Sequence, residues 1–323
     1  MLKGGLRYLG ERLRGRRFPL SVAILLTFAC NLRCPYCDFP ARKARPMTRE
    51  QLLGLVGSLA RAGTVRYSLS GGEPMLREEL GDVLREIRRL GGISSVTTNA
   101  TLVHERLELL DAAHYVLTTI EGDEAVHDRI RGNGMYRRTV EGLDLIKKTY
   151  PRIKLGLITA LNKRNVHAVD ATLELARALG CRVHFQPVQP VPPWGADRDT
   201  VLTDDEVGAV VRRLTDLKKS GAPIANSHAY LSFVRQHPFG VPDQHCHAGN
   251  YVVTILPDGR MVNCCILMGA RHDWPNVLQD GPKTCVERLP VKHCDGCTIA
   301  PYVENNLLLD MNVSAWMEIF RWR

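Results

Sequence analysis

Three cysteines, Cys30, Cys34 and Cys37, stand in a C-x3-C-x2-C spacing, and four more, Cys246, Cys264, Cys294 and Cys297, follow late in the chain. Thiolates gathered this closely are metal ligands before they are anything else. A structural zinc site takes four ligands, usually as two separated pairs. The first trio therefore suits a cubane iron-sulfur cluster with one iron left open. The later set ends in a C-x2-C pair, and its four thiolates fit either a zinc tetrahedron or one saturated cluster. Ten cysteines in a secreted chain would ordinarily mean disulfides, but 323 residues exceed the disulfide-dense small domains. The close spacings point instead to the reducing cytosol.

Elements must position these thiols, and the first trio closes an apolar run that follows Arg16 and Arg17, much as in a lipoprotein signal peptide. What comes next decides against that reading, because a long alternation of strands and helices needs a first strand, Val22 to Thr27. The run from Pro19 to Cys30, interrupted by Ser21 and Thr27, falls short of the roughly 20 apolar residues that cross a bilayer. Further strands are expected at Val65 to Ser70, Ile93 to Thr98, Tyr115 to Ile120, Ile153 to Ala160 and Arg182 to Pro187. Helices are expected between them: one capped by Thr48 with Gln51, then Glu78 to Leu90, His104 to Ala113, Arg138 to Tyr150, and Val169 to Leu179 ending at Gly180. Strands separated by helices pair in parallel. Six such units predict an α/β fold, a partial (β/α)6 barrel, with Cys30, Gly71, Asn99, Glu121, Asn162 and Gln189 at the strand C-terminal ends where the loops converge.

Four segments follow from the pattern: a basic amphipathic helix over 1–18, the barrel over 19–196, a connecting helical stretch over 197–240, and a smaller unit over 241–323. The last holds a hairpin, Tyr251 to Ile255 and Arg260 to Cys264, around Pro257-Asp258-Gly259. It ends in an aromatic helix with Trp316, Met317, Phe320 and Trp322.

The spacing C-x3-C-x-aromatic-C, with Tyr36 as the aromatic, resembles the signature of the radical S-adenosylmethionine (radical SAM) superfamily. "SGGEPML", Ser70 to Leu76, resembles its GGEP motif on the second strand. "TTNATL" is similar to its TNG-like third strand end, with Ala100 in place of glycine, and "IEGDEAVHDRIRGNGMYRRTVEGL" to its DG…HD..RG pattern, with Glu121 in place of aspartate. The cysteine, PDG hairpin, cysteine and C-x2-C order resembles the twitch extension, the short relative of the SPASM domain.

The resemblance implies two 4Fe-4S clusters, a radical SAM cluster on Cys30, Cys34 and Cys37 and an auxiliary one on Cys246, Cys264, Cys294 and Cys297. It implies S-adenosylmethionine bound near Tyr36, Ser70, Gly71, Gly72, Glu73, Pro74, Asn99, Thr119, Glu121, Arg131 and Asn162. The two glycines would let the backbone approach the methionine amine, Arg131 is the candidate for its carboxylate and Thr119 for its ribose. It implies reductive cleavage to a 5′-deoxyadenosyl radical, hydrogen abstraction, and an electron-accepting role for the saturated auxiliary cluster. His184 is the proton-acceptor candidate, provided that the period-2 phase turns it into the barrel. Cys265, Cys181 and Cys285 read as core thiols, with Cys265 pointing away from Cys264 along a strand.

The substrate is the least legible part. A net charge of +9 favours an anionic partner, and the expected substrate is a small or lipid-like biosynthetic intermediate. The alternative is maturation of a ribosomally made peptide, and a non-catalytic iron-sulfur or zinc protein is disfavoured. A flavodoxin or ferredoxin would supply the electron. Leu2, Leu6, Leu9 and Leu13 on the basic N-terminal helix allow peripheral membrane contact by a cytoplasmic protein. Nothing resembles a nucleic-acid module.

Overall fold

The computed structural model describes residues 8, 10–190, 198–242, 244–271, 273–290 and 295–321. Six strands, β1 (Ser21–Thr27), β2 (Arg66–Gly71), β3 (Ile93–Thr98), β4 (Tyr115–Thr119), β5 (Lys154–Leu161) and β6 (Arg182–Pro187), pair in parallel in sequence order. The connecting helices are α1 (Arg49–Ala62), α2 (Leu80–Arg89), α3 (Val103–Arg106), α4 (Glu124–Arg131), α5 (Met135–Thr149) and α6 (Val169–Leu179). Thr48 and Gln51 form the expected capping box on α1, and Gly180 ends α6 in the left-handed region at φ 64°. The expected helix over His104 to Ala113 is broken after α3. Arg106 leaves helical backbone (φ −142°, ψ 27°), and its guanidinium donates to the Met75 carbonyl at 3.2 Å.

One face of this sheet is apolar and sealed. Ile24, Leu69, Val96, Val116, Leu157 and Val183 share it and are fully buried, each contributing about 1.5–3 kcal/mol relative to exposure. The opposite face carries half-buried small and hydroxyl side chains, Ala23, Ser68, Ser70, Ser95, Thr97, Thr119 and Ala160, among the larger Leu25, Leu117, Ile158, His184 and Gln186. Small and hydroxyl side chains there leave room inside an open, incompletely closed barrel.

The C-terminal part does not build a sheet of its own. Its strand β7 (Val252–Ile255) pairs in parallel with β1, from Ser21 opposite Val252 to Ile24 opposite Ile255. A short β8 (Met261–Val262) returns antiparallel to it, giving one sheet ordered β6-β5-β4-β3-β2-β1-β7-β8. Four more helices, α7 (Asp204–Lys219), α8 (His228–Gln236), α9 (Val277–Arg288) and α10 (Ala300–Leu309), precede the terminal α11 (Val313–Arg321). Helix α10 lies against the half-buried face: Arg66 donates to the Asn305 side chain at 3.3 Å, and Gln186 accepts from the Ala300 amide at 3.0 Å. Leu2, Leu6 and Leu9 lie outside the described residues. Leu13 is exposed, whereas Tyr8 is buried against Tyr251 and donates to the Leu309 carbonyl.

Candidate functional site

The cysteine loop leaves the C-terminal end of β1. Cys30, Cys34 and Cys37 are half-buried free thiols, the Cys37 amide donates to the Cys34 carbonyl at 3.1 Å, and the Leu32 amide donates to Cys30 Sγ at 3.4 Å. Burial raises all three thiols, Cys37 to about 11. Three neighbouring thiols that burial raises are stabilised as thiolates together by the field of a metal. The donor set therefore fits an iron-sulfur cluster.

The glycines of the Ser70–Pro74 turn explain how this loop is held. A Cβ on Gly72 would sit 2.2 Å from the Ala29 carbonyl oxygen, and one on Gly71 2.2 Å from that of Thr27. Gly71 also has φ +132°, a conformation side chains rarely adopt. A side chain at either position would therefore collide with the β1 end and the start of the cysteine loop, so glycine is required here for the close approach of the two backbones. Hydrogen bonds from Gly72 to Thr27 (2.8 Å) and from Glu73 to Ala29 (2.9 Å) complete the contact.

Glu73 is fully buried and works inside the protein. It accepts from the Met75 amide (2.9 Å), the Thr98 hydroxyl (2.7 Å) and the Asn99 amide (2.8 Å), tying the end of β2 to the end of β3. Pro74 opens the short 3-10 turn that follows. Asn99 then reaches the cysteine loop by donating to Asn31 at 2.8 Å, and Asn31 donates to Thr101 at the same distance. Asn31 and Thr101 were not singled out by the sequence; only the neighbourhood of their strand ends reveals them.

A second tether starts at Tyr36. Its buried hydroxyl bonds Glu121, accepts from Arg131 at 2.7 Å, and lies well above its ordinary pKa through burial. Arg131 also pairs with Glu121 at 2.8 Å, the two side chains being 8% and 0% exposed, and Asn165 donates to the other Glu121 oxygen at 2.7 Å. Burial alone would lower Arg131, but Tyr36, Cys34 and Glu121 around it hold it well above the usual arginine range. Arg131, expected to meet a ligand carboxylate, spends its Nε and Nη2 on this internal network. Asn162 closes its own turn through Ala160, Arg164 and Asn165, and Thr119 stands on the half-buried face at the end of β4. His127, the histidine of the HD pair in the DG…HD..RG pattern, has a structural partner: its Nδ1 accepts from the Glu121 amide at 3.3 Å.

His184 does turn to the half-buried face, opposite Ile158 on β5. Its surroundings are Arg182, Lys218 and Glu318, the last bonded to both cations. Burial first, then Arg182 and Lys218, push its ring down to about 4 against the pull of Glu318. A ring so hard to protonate is a poor proton acceptor.

Of the later cysteines, Cys294 lies outside the described residues, Cys246 is half-buried and Cys264 and Cys297 are buried. Gln244 draws the Cys246 segment to Cys297, donating to its carbonyl at 3.0 Å and accepting from its amide at 3.2 Å. Gln189, at the end of β6, donates to the Thr298 hydroxyl at 2.6 Å and so fixes that segment to the barrel. Cys265 is not on the strand expected for it: β8 stops at Val262, and Cys265 opens a 3-10 turn with its Sγ 3.3 Å from the Tyr302 hydroxyl. Burial raises its thiol, and the nearby Cys264 and Cys297 raise it further. Cys181 and Cys285 are core thiols.

A β/α sheet with its cysteine loop held against a glycine turn defines a class of protein, and the sequence agrees. Residues 24–176 match the Radical SAM superfamily. That stretch is a radical SAM domain, the domain of a class of enzymes that use S-adenosylmethionine. Among curated proteins it is similar to the PqqA peptide cyclase of Gluconobacter oxydans (strain 621H), 28% identical over 258 residues, which are 76% of this chain and 70% of the relative. Among solved structures it resembles Streptococcus suis SuiB bound to precursor peptide SuiA, with a TM-score of 0.70 at 15% identity over 87% of this chain and 68% of that one. SuiB bound to S-adenosylmethionine gives a TM-score of 0.68 at 15% identity over 84% of this chain, which spans 66% of that structure's length. Native anSMEcpe with bound AdoMet and Kp18Cys peptide gives 0.67 at 18% identity over 83% and 80%. Among the described residues no helix is long and apolar enough to cross a membrane.

Proposed function

We propose that this protein is a radical SAM enzyme that modifies a peptide. The single observation that carries the reading is the 28% identity to a peptide cyclase along 258 residues, because that match extends over three quarters of the chain and not over the cysteine signature alone. It favours a ribosomally made peptide over the small or lipid-like intermediate expected from charge and helix pattern. The half-buried face of small and hydroxyl residues is the lumen into which a peptide side chain would enter.

Cys30, Cys34 and Cys37 would hold the 4Fe-4S cluster. When bound, the cluster and S-adenosylmethionine supply hydrogen abstraction from an unactivated C–H bond. The chain's own residues position that chemistry: the Gly71-Gly72 turn and Asn99 orient the cysteine loop, and Tyr36, Glu121 and Arg131 lock it to β4 and α4. Cys246, Cys264, Cys294 and Cys297 would hold an auxiliary 4Fe-4S cluster with no open iron, and the Gln189–Thr298 contact ties the Cys297 segment to the end of β6. A flavodoxin or ferredoxin is the proposed reductant.

Seven thiolates in two sets predict about eight irons per chain after anaerobic reconstitution, and about four would remove the auxiliary cluster. Substrate class is tested by co-expressing the protein with the short open reading frames that flank its gene and weighing the peptides. A crosslinked product lacks two hydrogens and a Cys34→Ala enzyme leaves its peptide unchanged. If every flanking peptide is returned at its original mass by active enzyme, the peptide reading is wrong.

A further inference from the structure

His245 and His247 flank Cys246, and the cluster has no use for them. Their Nε2 atoms lie 3.4 Å apart, and both face one oxygen of Asp310, at 3.4 Å from His245 and 2.9 Å from His247. The two rings stand nearly perpendicular, at 89° with centroids 4.8 Å apart, so their nitrogens approach one point from different directions. Zinc bonds of about 2.0–2.1 Å to nitrogen and oxygen place tetrahedral ligands about 3.3–3.4 Å from one another. Two edges of the observed triangle, both 3.4 Å, have that length, and the third, 2.9 Å between His247 and Asp310, is a hydrogen bond that an entering ion would replace and widen.

The frame around the triangle is built. Asn306, on α10, accepts from the His247 amide at 2.9 Å and donates to the His245 carbonyl at 3.2 Å, so it grips the backbone on both sides of Cys246. Asp310, the C-cap of the same helix, stands one turn further on. His247 is 5% exposed and His245 68%, which leaves the His245 side open for an entering ion and for a water as fourth ligand. One neighbour opposes a cation: Arg12 lies 3.6 Å from the Asp310 oxygen, although its Nη1 is engaged by the Leu309 carbonyl and the Tyr8 hydroxyl.

We propose that His245, His247 and Asp310 bind one zinc ion at a site separate from both cysteine sets, pinning the Cys246 loop to the end of α10. The proposal does not depend on the peptide reading. The protein, reconstituted anaerobically with iron and sulfide and free of any histidine tag, is loaded with zinc sulfate and desalted. Zinc is then measured by mass spectrometry and zinc-edge X-ray absorption. About one zinc per chain is expected, with a nitrogen and oxygen shell near 2.0 Å and no sulfur shell near 2.3 Å.

Asp310→Asn and His245→Gln, the latter at an exposed side chain, should each weaken zinc binding at least tenfold. Arg12→Gln should tighten it. Absence of zinc, a sulfur shell, iron in its place, or zinc indifferent to both Asp310→Asn and His245→Gln would each overturn the site and leave a plain His-Asp-His hydrogen-bond cluster.

Discussion

Single side chains near the cysteine loop act mainly on one another. Gly72→Ala would drive a methyl group to 2.2 Å from the Ala29 carbonyl. We expect a loss of at least about 1–3 kcal/mol and, since Cys30 is the next residue, loss of the first cluster's iron, read by thermal unfolding and iron analysis. Arg131→Met would leave the Glu121 carboxylate buried without its cation, a change of about 3–5 kcal/mol. Unfolding by guanidinium checks this, and an effect under about 1 kcal/mol would show that the Tyr36 and Asn165 bonds suffice alone. His127 predicts a pH dependence. Its folded pKa falls from 6.5 to about 3, chiefly by burial and then by Arg131, so its stabilisation is complete above about 6.5 and drains away as pH falls towards 3. Protonation would put a hydrogen where Nδ1 accepts from Glu121. The melting temperature should drop between pH 7 and 5, and His127→Asn, which keeps an acceptor without a titrating ring, should flatten that segment. The candidate cysteines and the glycines could be picked out because their spacing and motif are local to the chain. Asn31 and Thr101 could not, since a hydrogen-bond partner exists only once two strand ends lie side by side.

Elements were legible where the chain carries its own punctuation. The Thr48–Gln51 capping box and Gly180 mark helix ends by local chemistry, and the alternating apolar runs gave all six parallel strands to within a residue or two. Helix α4 went unread because it is only eight residues long and half of them are charged. Its start is nonetheless capped: Asp123 accepts from the Val126 amide at 2.9 Å. This helix delivers both His127 and Arg131 to Glu121, so its first turn bears on the site. Asp123→Ala should cost about 1 kcal/mol whereas Asp123→Asn should be nearly neutral, as measured by chemical denaturation. Equal losses in both would mean that the charge at the helix N-terminus, and not the cap bond, is what matters.

At the scale of the molecule, the division at residue 241 suggested by the change of sequence pattern does not correspond to a break in the sheet. A hairpin around Pro-Asp-Gly is a local signal, but which edge receives it depends on β1 having a free side, and that is a property of the assembled barrel. In the structure β7 satisfies the edge of β1 through four register pairs, Tyr251 packs on Tyr8 and Phe18, and α10 crosses the half-buried face. Cutting the chain after residue 240 would bare a central apolar strand together with the aromatic residues beneath it, the combination that drives edge-to-edge association. We therefore expect the 1–240 fragment to aggregate or to elute as large species in size-exclusion chromatography, with little iron retained. A soluble, monomeric fragment that still takes up about four irons would show instead that the barrel folds by itself and that the hairpin is an accessory to it.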